Sequence, residues 1–192
     1  MDELMAGKDA TITKIIEKEW LMFAAVKAVE TAACQQMPHT FYAMRKMSHS
    51  VLSEDTLQAY LQDLTEAEQV GRNLVIEKYA RMDDLIPPLK YNEDLLAIVR
   101  RETVWMEALH LQYPHAVNFD ENFASYESGE LETYSDETLR LYRRDVDNAY
   151  ANGINLVEQR YLHLYCGLGF TSLAEVEATA KQKGGSTDGE KS

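Results

Sequence analysis

The stretch SEDTLQAYLQDLTEAEQVGRNLVIEKY, residues 53–79, reads as helical and returns 82 positions later as SDETLRLYRRDVDNAYANGINLVEQRY, residues 135–161. Both copies begin with a serine followed by acidic residues, which is typical of a helix N-terminus. Upstream, at a shift of 83, Glu19 aligns with Glu102 within matching aliphatic patterns. The sequence therefore predicts two homologous helical halves packed about a pseudo-two-fold axis. The identical positions are Ser53/Ser135, Thr56/Thr138, Leu57/Leu139, Tyr60/Tyr142, Asp63/Asp145, Ala67/Ala149, Gly71/Gly153, Asn73/Asn155, Leu74/Leu156, Val75/Val157 and Tyr79/Tyr161.

Long amphipathic segments dominate the rest of the chain, and alternation of period two is almost absent. We therefore predict an all-α helical bundle forming one domain over residues 1–182. Pro87 and Pro88 interrupt the helical pattern and mark a linker over residues 83–91 between repeat one (about 11–82) and repeat two (about 92–167). The polar residues 183–192 have the composition of a disordered tail. The predicted helices cover residues 11–30, 39–50, 54–82, 92–112, 135–167 and 172–182.

A glycine lies within each long copy, at Gly71 and Gly153. We expect the two helices to run through them, because an A-x-x-x-G pair lets helix backbones approach closely. The alternative is a break, with Gly153 as a C-terminal cap and Asn155 starting a new helix. A continuous helix would place Tyr60 and Lys78 on one face, and likewise Tyr142 and Arg160, whereas a break would rotate Lys78 and Arg160 off these faces.

Each half also carries a glutamate at the centre of an apolar stripe. The stripes are Ile12, Ile15, Ile16, Phe23 and Val26 around Glu19, and Leu95, Ile98, Val99, Met106 and Leu109 around Glu102. Burying an unpaired carboxylate is costly, so each glutamate should have a partner. We expect Tyr60 and Lys78 beside Glu19, and Tyr142 and Arg160 beside Glu102. Asp63 and Asp145 should flank these faces, beside Arg81 and His163 respectively.

Two interpretations of these residues compete. In one, they are buried ion pairs that fix the register between the repeats of a non-catalytic accessory or protein-interaction protein. In the other, they line a pocket for a small polar molecule in a small-molecule enzyme or a ligand-binding protein. There Glu19, Glu102, Tyr60 and Tyr142 would be the acid/base groups, because a desolvated glutamate has a raised pKa. Lys78 and Arg160 would orient an anionic group, with Asp63, Asp145, Arg81 and His163 as further substrate-binding residues. The differences between the halves suggest that one has specialised.

The composition narrows the range of partners. A formal net charge of −13 argues against nucleic acid and anionic membranes. No segment approaches a membrane span, the first residues are acidic, and Cys34 and Cys166 are too few for a disulfide framework. We therefore expect a cytoplasmic protein. Residues 119–137 hold seven acidic residues and four aromatics, which favours either a basic protein partner or a solvated connector.

No motif implies a cofactor. The pair Glu107 and His110 has the spacing of a ligand pair in di-iron bundles, but the first half lacks a counterpart, so a di-metal centre is only weakly indicated. The remaining histidines apart from His163, namely His39, His49 and His115, show no ligand spacing, and we expect surface or capping positions for them.

The segments IIEKEWLMF (residues 15–23), GRNLVIEKYARM (71–82) and GELETYSDETLRLY (129–142) resemble a bacterial family known as domain of unknown function 4125. The resemblance covers about residues 12–175. It implies an all-helical fold and gives weight to Glu19, Lys78 and Tyr79, but it supplies no catalytic residues.

Overall fold

The computed structural model describes residues 2–25 and 38–185. Within these ranges the chain forms nine α-helices and no strand, which confirms the predicted all-α class. Val26, Cys34 and residues 186–192 of the predicted tail lie outside the described residues. The helices are α1 Asp2–Ala24, α2 Pro38–Ser50, α3 Glu54–Gln69, α4 Leu74–Met82, α5 Glu93–Gln112, α6 Phe123–Leu131, α7 Asp136–Ala151, α8 Leu156–Gly167 and α9 Leu173–Gly185.

The predicted helix starts at the two serines are confirmed. The side chain of Ser53 accepts a hydrogen bond from the Thr56 N–H, and Ser135 accepts one from the Thr138 N–H. Such a bond satisfies one of the four N–H groups that have no partner inside the helix. The Pro-Pro linker is also confirmed as a break, since α4 ends at Met82 and α5 begins at Glu93.

The prediction that the two long helices are continuous is wrong, and the alternative of a break is correct. Gly71 and Gly153 have φ angles of 71° and 69°, in the left-handed region that side chains disfavour. The N–H groups of Gly71 and Arg72 return to carbonyls of the preceding turn, which is a Schellman motif. A Cβ added at either glycine would meet nothing within 4 Å, so close helix approach is not the reason for them. Asn73 and Asn155 then cap α4 and α8.

The core is organised around the two helices that carry the central glutamates. Helix α1 packs on α2, α3 and α4, and α5 packs on α6, α7 and α8. The two groups meet where α3 contacts α7, α2 contacts α8, and α4 contacts α6. Both predicted apolar stripes are buried within the described residues: Ile12, Ile15, Ile16 and Phe23 on α1, and Leu95, Ile98, Val99, Met106 and Leu109 on α5.

Asp63 of α3 and Asp145 of α7 each cap the other helix. Such carboxylates stabilise a helix start through both the N–H bonds and the helix dipole. The expected neighbours Arg81 and His163 are therefore wrong for them. The bonds are Ser135 N–H and Thr138 hydroxyl to Asp63 at 2.9 and 2.7 Å, and Ser53 N–H and Thr56 hydroxyl to Asp145 at 2.9 and 2.6 Å.

Among the residues that the structure describes, no helix combines the length and the apolar character needed to cross a bilayer.

Candidate functional site

In the second half, the structure brings together the three residues that the sequence pairs. Glu102 is fully buried, and Arg160 binds it with two N–H groups at 2.6 and 2.8 Å. The Tyr142 hydroxyl donates to the same carboxylate at 2.7 Å and also receives a hydrogen bond from Arg160. The turn at Asn155 starts α8 in a direction that keeps Arg160 against α5. The result is a closed, bidentate ion pair completed by a tyrosine.

In the first half, Glu19 is equally buried but has a different cation. Tyr60 donates to it at 2.8 Å as expected, and Arg45 of α2 binds it at 2.5 and 2.8 Å. His49, one helical turn beyond Arg45, places Nε2 at 3.2 Å from the carboxylate. Burial opposes ionisation, yet Arg45 and His49 hold the pKa of Glu19 well below its ordinary value. The expected raised pKa is therefore wrong for Glu19.

Lys78 pairs with Glu130 of α6, so the prediction that it pairs with Glu19 is wrong. The Lys78 ammonium lies 2.6 Å from Glu130 Oε2. Arg45 also binds Glu130, at 2.7 and 3.2 Å, and thereby bridges the two carboxylates. Burial would raise the pKa of Glu130, but Arg45 and Lys78 lower it well below its ordinary value. The four groups form an alternating chain of charges from Glu19 to Lys78.

The remaining predicted substrate-binding residues lie elsewhere. Arg81 binds Glu132 at 2.6 and 3.2 Å and the Ile86 carbonyl at 2.9 Å, which fastens the linker to the segment after α6. His163 is exposed on α8, and partial burial and the nearby Lys46 lower its pKa. Both are separate from the residues around Glu19.

A cavity of about 270 Å³ lies between α1, α2, α3, α4 and α6. Of the ten predicted site residues, three line it: Glu19, Tyr60 and Lys78. Arg45 and Glu130 complete its charged side. The apolar part of its lining is formed by Phe23, Phe41, Met44, Leu74, Val75 and Tyr79. Its volume is near the lower end of the range for small-molecule sites, roughly 300–1,000 Å³.

A second, much smaller cavity separates the two ion clusters. Its volume is about 30 Å³, and His49, Glu127, Glu130 and Arg160 are among its lining residues. Glu127 is half-buried, and burial together with the charge of Glu102 raises its pKa to about 8. The buried Nε of Arg160 has no hydrogen-bond partner in the described part of the chain.

Sequence reasoning missed four residues of this region: Arg45, His49, Glu127 and Glu130. The i,i+4 spacing of Arg45 and His49 was a usable signal, and the expectation of a surface or capping position for His49 is wrong, because it is 1% exposed. Glu127 and Glu130 belong to the acidic segment that was interpreted as a connector or docking surface. That segment contains α6, and three of its seven carboxylates point inward: Glu127, Glu130 and Glu132.

The weakly indicated metal pair is not assembled. Glu107 is exposed, and His110 contacts the Val117 carbonyl through Nδ1 at 2.7 Å. Within residues 2–25 and 38–185, no group of three or more His, Cys, Asp or Glu side chains could hold a metal ion. His39 and His115 are exposed, as predicted.

A comparison with protein families matches residues 9–178 to the family described as "Protein of unknown function (DUF4125)". Comparisons with curated proteins and with solved structures give no match.

Proposed function

The chain belongs to the DUF4125 family, whose description assigns no activity, and we propose that it binds a small molecule in the cavity between α1, α2, α3, α4 and α6. The observation that carries the proposal is the pairing of a charged side with an apolar side in one cavity. Ligand sites combine a mostly apolar lining with a few polar groups that fix orientation. A purely structural ion pair has no need of an adjacent space of about 270 Å³.

The contrast between the halves supports a specialised first half. In the second half Arg160 reaches Glu102 directly, and the adjacent cavity measures only about 30 Å³. In the first half Lys78 is held by Glu130 instead, and Arg45 from another helix neutralises Glu19. The cavity then lies beside charges that are already paired. This arrangement favours a ligand that joins an existing network.

Binding has more support than acid/base catalysis by Glu19 and Tyr60. The pKa of Glu19 is lowered by Arg45 and His49 despite its burial, and the pKa of Tyr60 is raised by burial and by Glu19. Both shifts move these groups away from neutral pH, where a proton-transfer group is most effective. The catalytic roles of Glu19, Glu102, Tyr60 and Tyr142 stay predictions.

A basic protein partner at residues 119–137 stays a prediction with less support. Glu130 and Glu132 of this segment are bound to Lys78 and Arg81 of the same chain. Less negative charge is therefore left to attract a partner.

We also propose that the two halves arose by internal duplication. The contacts of α1 with α2, α3 and α4 have counterparts in those of α5 with α6, α7 and α8. The α2–α8 contact has its counterpart in α6–α4, and the Asp63 and Asp145 caps are reciprocal. An alignment of the two halves in other family members tests this, because the identical positions should recur at the same offset.

A thermal-shift screen of the full chain against small charged amphipathic metabolites tests the binding proposal. We expect at least one compound class to raise the melting temperature of the wild type. Met44 lines the cavity and is 44% exposed, so Met44→Trp should obstruct it at little cost to the fold. Ala43→Trp is the matched control, because Ala43 is exposed on the same helix and does not line the cavity.

The stabilisation should persist in Ala43→Trp and disappear in Met44→Trp. A screen without stabilising compounds would overturn the proposal. Equal stabilisation of both tryptophan variants would also overturn it, because the ligand would then bind elsewhere.

A further inference from the structure

The charges that line the cavity cancel. Among its described lining residues there are two carboxylates and two cations: Glu19, Glu130, Arg45 and Lys78. The lowered pKa values of both glutamates keep the carboxylates ionised at neutral pH. A ligand that brought a net charge into this cavity would leave that charge without a counter-ion, which is costly in a partly desolvated site.

The most exposed part of this charge network is the pair of Lys78 and Glu130. Their side chains are 16% and 17% exposed, whereas those of Arg45 and Glu19 are 11% and 2% exposed. The Lys78 ammonium has three N–H donors, and it donates to Glu130 at 2.6 Å. No second hydrogen bond from it is present in the described part of the chain, and its nitrogen lies 5.8 Å from the centroid of the Tyr79 ring. A ligand therefore meets a cation that can donate further hydrogen bonds and a carboxylate beside it.

The apolar part of the cavity lining is largely aromatic. The rings of Phe23 and Phe41 stack with centroids 5.0 Å apart and an interplanar angle of 17°, and Tyr79 lies 6.0 Å from Phe23. Leu74 and Val75 come from the first turn of α4, four and three residues before Lys78. The apolar surface and the ammonium group are thus held by the same short helix, one turn apart.

We propose that the ligand is a small zwitterion with an apolar side chain, of the kind represented by a free α-amino acid with an aliphatic or aromatic side chain. Its carboxylate binds Lys78, its ammonium group binds Glu130, and its side chain packs on Phe23, Phe41 and Tyr79. A zwitterion adds no net charge to a balanced site, and its two charges match the most exposed ion pair of the network. This inference rests on the proposed binding function and specifies its ligand class.

Three compounds that share the same apolar group and differ only in their charged groups test the inference in calorimetric titrations of the wild-type chain. L-Phenylalanine carries both charges, 2-phenylethylamine lacks the carboxylate, and 3-phenylpropionate lacks the ammonium group. A parallel series uses L-leucine, 3-methylbutylamine and 4-methylpentanoate. Each truncated compound brings a net charge into the balanced site and makes only one of the two charged contacts, so we expect the zwitterion to bind at least about tenfold more tightly than either.

The Lys78→Gln variant sharpens the result. It should lower the affinity for the zwitterion and remove most of its advantage over the amine, since both then meet Glu130 alone. Lys46→Gln is the matched control, because Lys46 is exposed on α2 and does not line the cavity. If Lys78→Gln does not fold, the wild-type series still decides the question.

The inference and the binding proposal can fail separately. Equal or tighter binding of the amine or the acid overturns the zwitterion and leaves a cavity that binds small molecules. The same holds if neither series binds while other compounds in the screen act through the cavity. Failure of both series and of the whole screen overturns both proposals.

Discussion

Titration of the Glu127 carboxyl should make the free energy of unfolding depend on pH. The Glu127→Gln variant should lack this dependence. The pKa of the carboxyl rises from 4.5 to about 8 on folding, because it is buried and faces the charge of Glu102. Between these values the folded chain holds one proton more than the unfolded chain. The free energy of unfolding therefore falls as pH rises, by up to about 1.4 kcal/mol per pH unit.

The expected size of the effect follows from this linkage. The stabilising contribution of the neutral carboxyl is complete below about pH 4.5 and is lost as pH rises through about 8. Between about pH 6 and pH 8 the loss is about 2 kcal/mol, since the slope flattens near the folded pKa. Glutamine is close to the neutral carboxyl in shape and does not titrate. The variant should therefore lack this part of the pH dependence.

Urea denaturation of wild type and Glu127→Gln at several pH values measures the effect. Charged and titratable groups near Glu127 are present in both proteins, so their contributions largely cancel in the difference. Those groups are Glu102 on α5, Arg160 on α8, Glu130 on α6, His49 on α2, Tyr142 on α7, and Tyr134. A general packing defect in the variant would shift the difference equally at every pH and leave its slope unaffected.

Glu121→Gln is the control, because Glu121 is exposed just before α6 and should give a flat difference. The reasoning is refuted if the stability difference between wild type and Glu127→Gln changes by less than about 0.5 kcal/mol from pH 6 to pH 8. The carboxyl would then be ionised in the folded chain at neutral pH.

Four further substitutions test the buried contacts, a turn and a helix interior. Arg160→Met leaves the carboxylate of Glu102 buried and unpaired, so it should lower the free energy of unfolding by about 3–5 kcal/mol in urea denaturation. Asp63→Ala removes the acceptor for two donors at the start of α7 and should cost about 1–3 kcal/mol, measured in the same way. Gly71→Ala should destabilise the protein by roughly 1–2 kcal/mol, since the residue has positive φ. Gly7→Ala in helix α1 should instead stabilise it by about 0.5–1 kcal/mol. Thermal melts of the two variants show whether each substitution raises or lowers the stability.

Control variants with similar substitutions at exposed positions show whether these effects are specific to the buried contacts and the turn. Lys18→Met breaks a solvent-exposed pair with Glu68 and should cost less than about 1 kcal/mol, so a similar value for Arg160→Met would contradict its role at Glu102. Asp147→Ala changes an exposed aspartate on α7 and should have little effect beside Asp63→Ala. Stabilisation by Gly71→Ala would indicate an uninterrupted helix.

The sequence alone determined the helical class, the helix starts and the burial of the two glutamates. These features depend on local chemistry. Ser53 caps a helix through an N–H three residues away, and the residues around Glu102 recur with the period of one helix. The contact of Glu102 with Tyr142 and Arg160 was also predicted, because the buried carboxylate required partners. The prediction placed Arg160 on a continuous helix, however, and it is the new helix starting after Asn155 that brings Arg160 to Glu102.

Only the tertiary structure decided which cation each carboxylate meets. Lys78 binds Glu130, 52 residues away, and Glu19 receives Arg45 from a helix that the repeat did not highlight. Such partners are selected by the packing of separate helices, and the periodicity within one helix does not encode them. The inward direction of α6 arises in the same way, since an acidic sequence suggests solvent until cations from other helices surround it. The same packing forms the cavity, because its charged and apolar sides come from five helices that meet only in the folded chain.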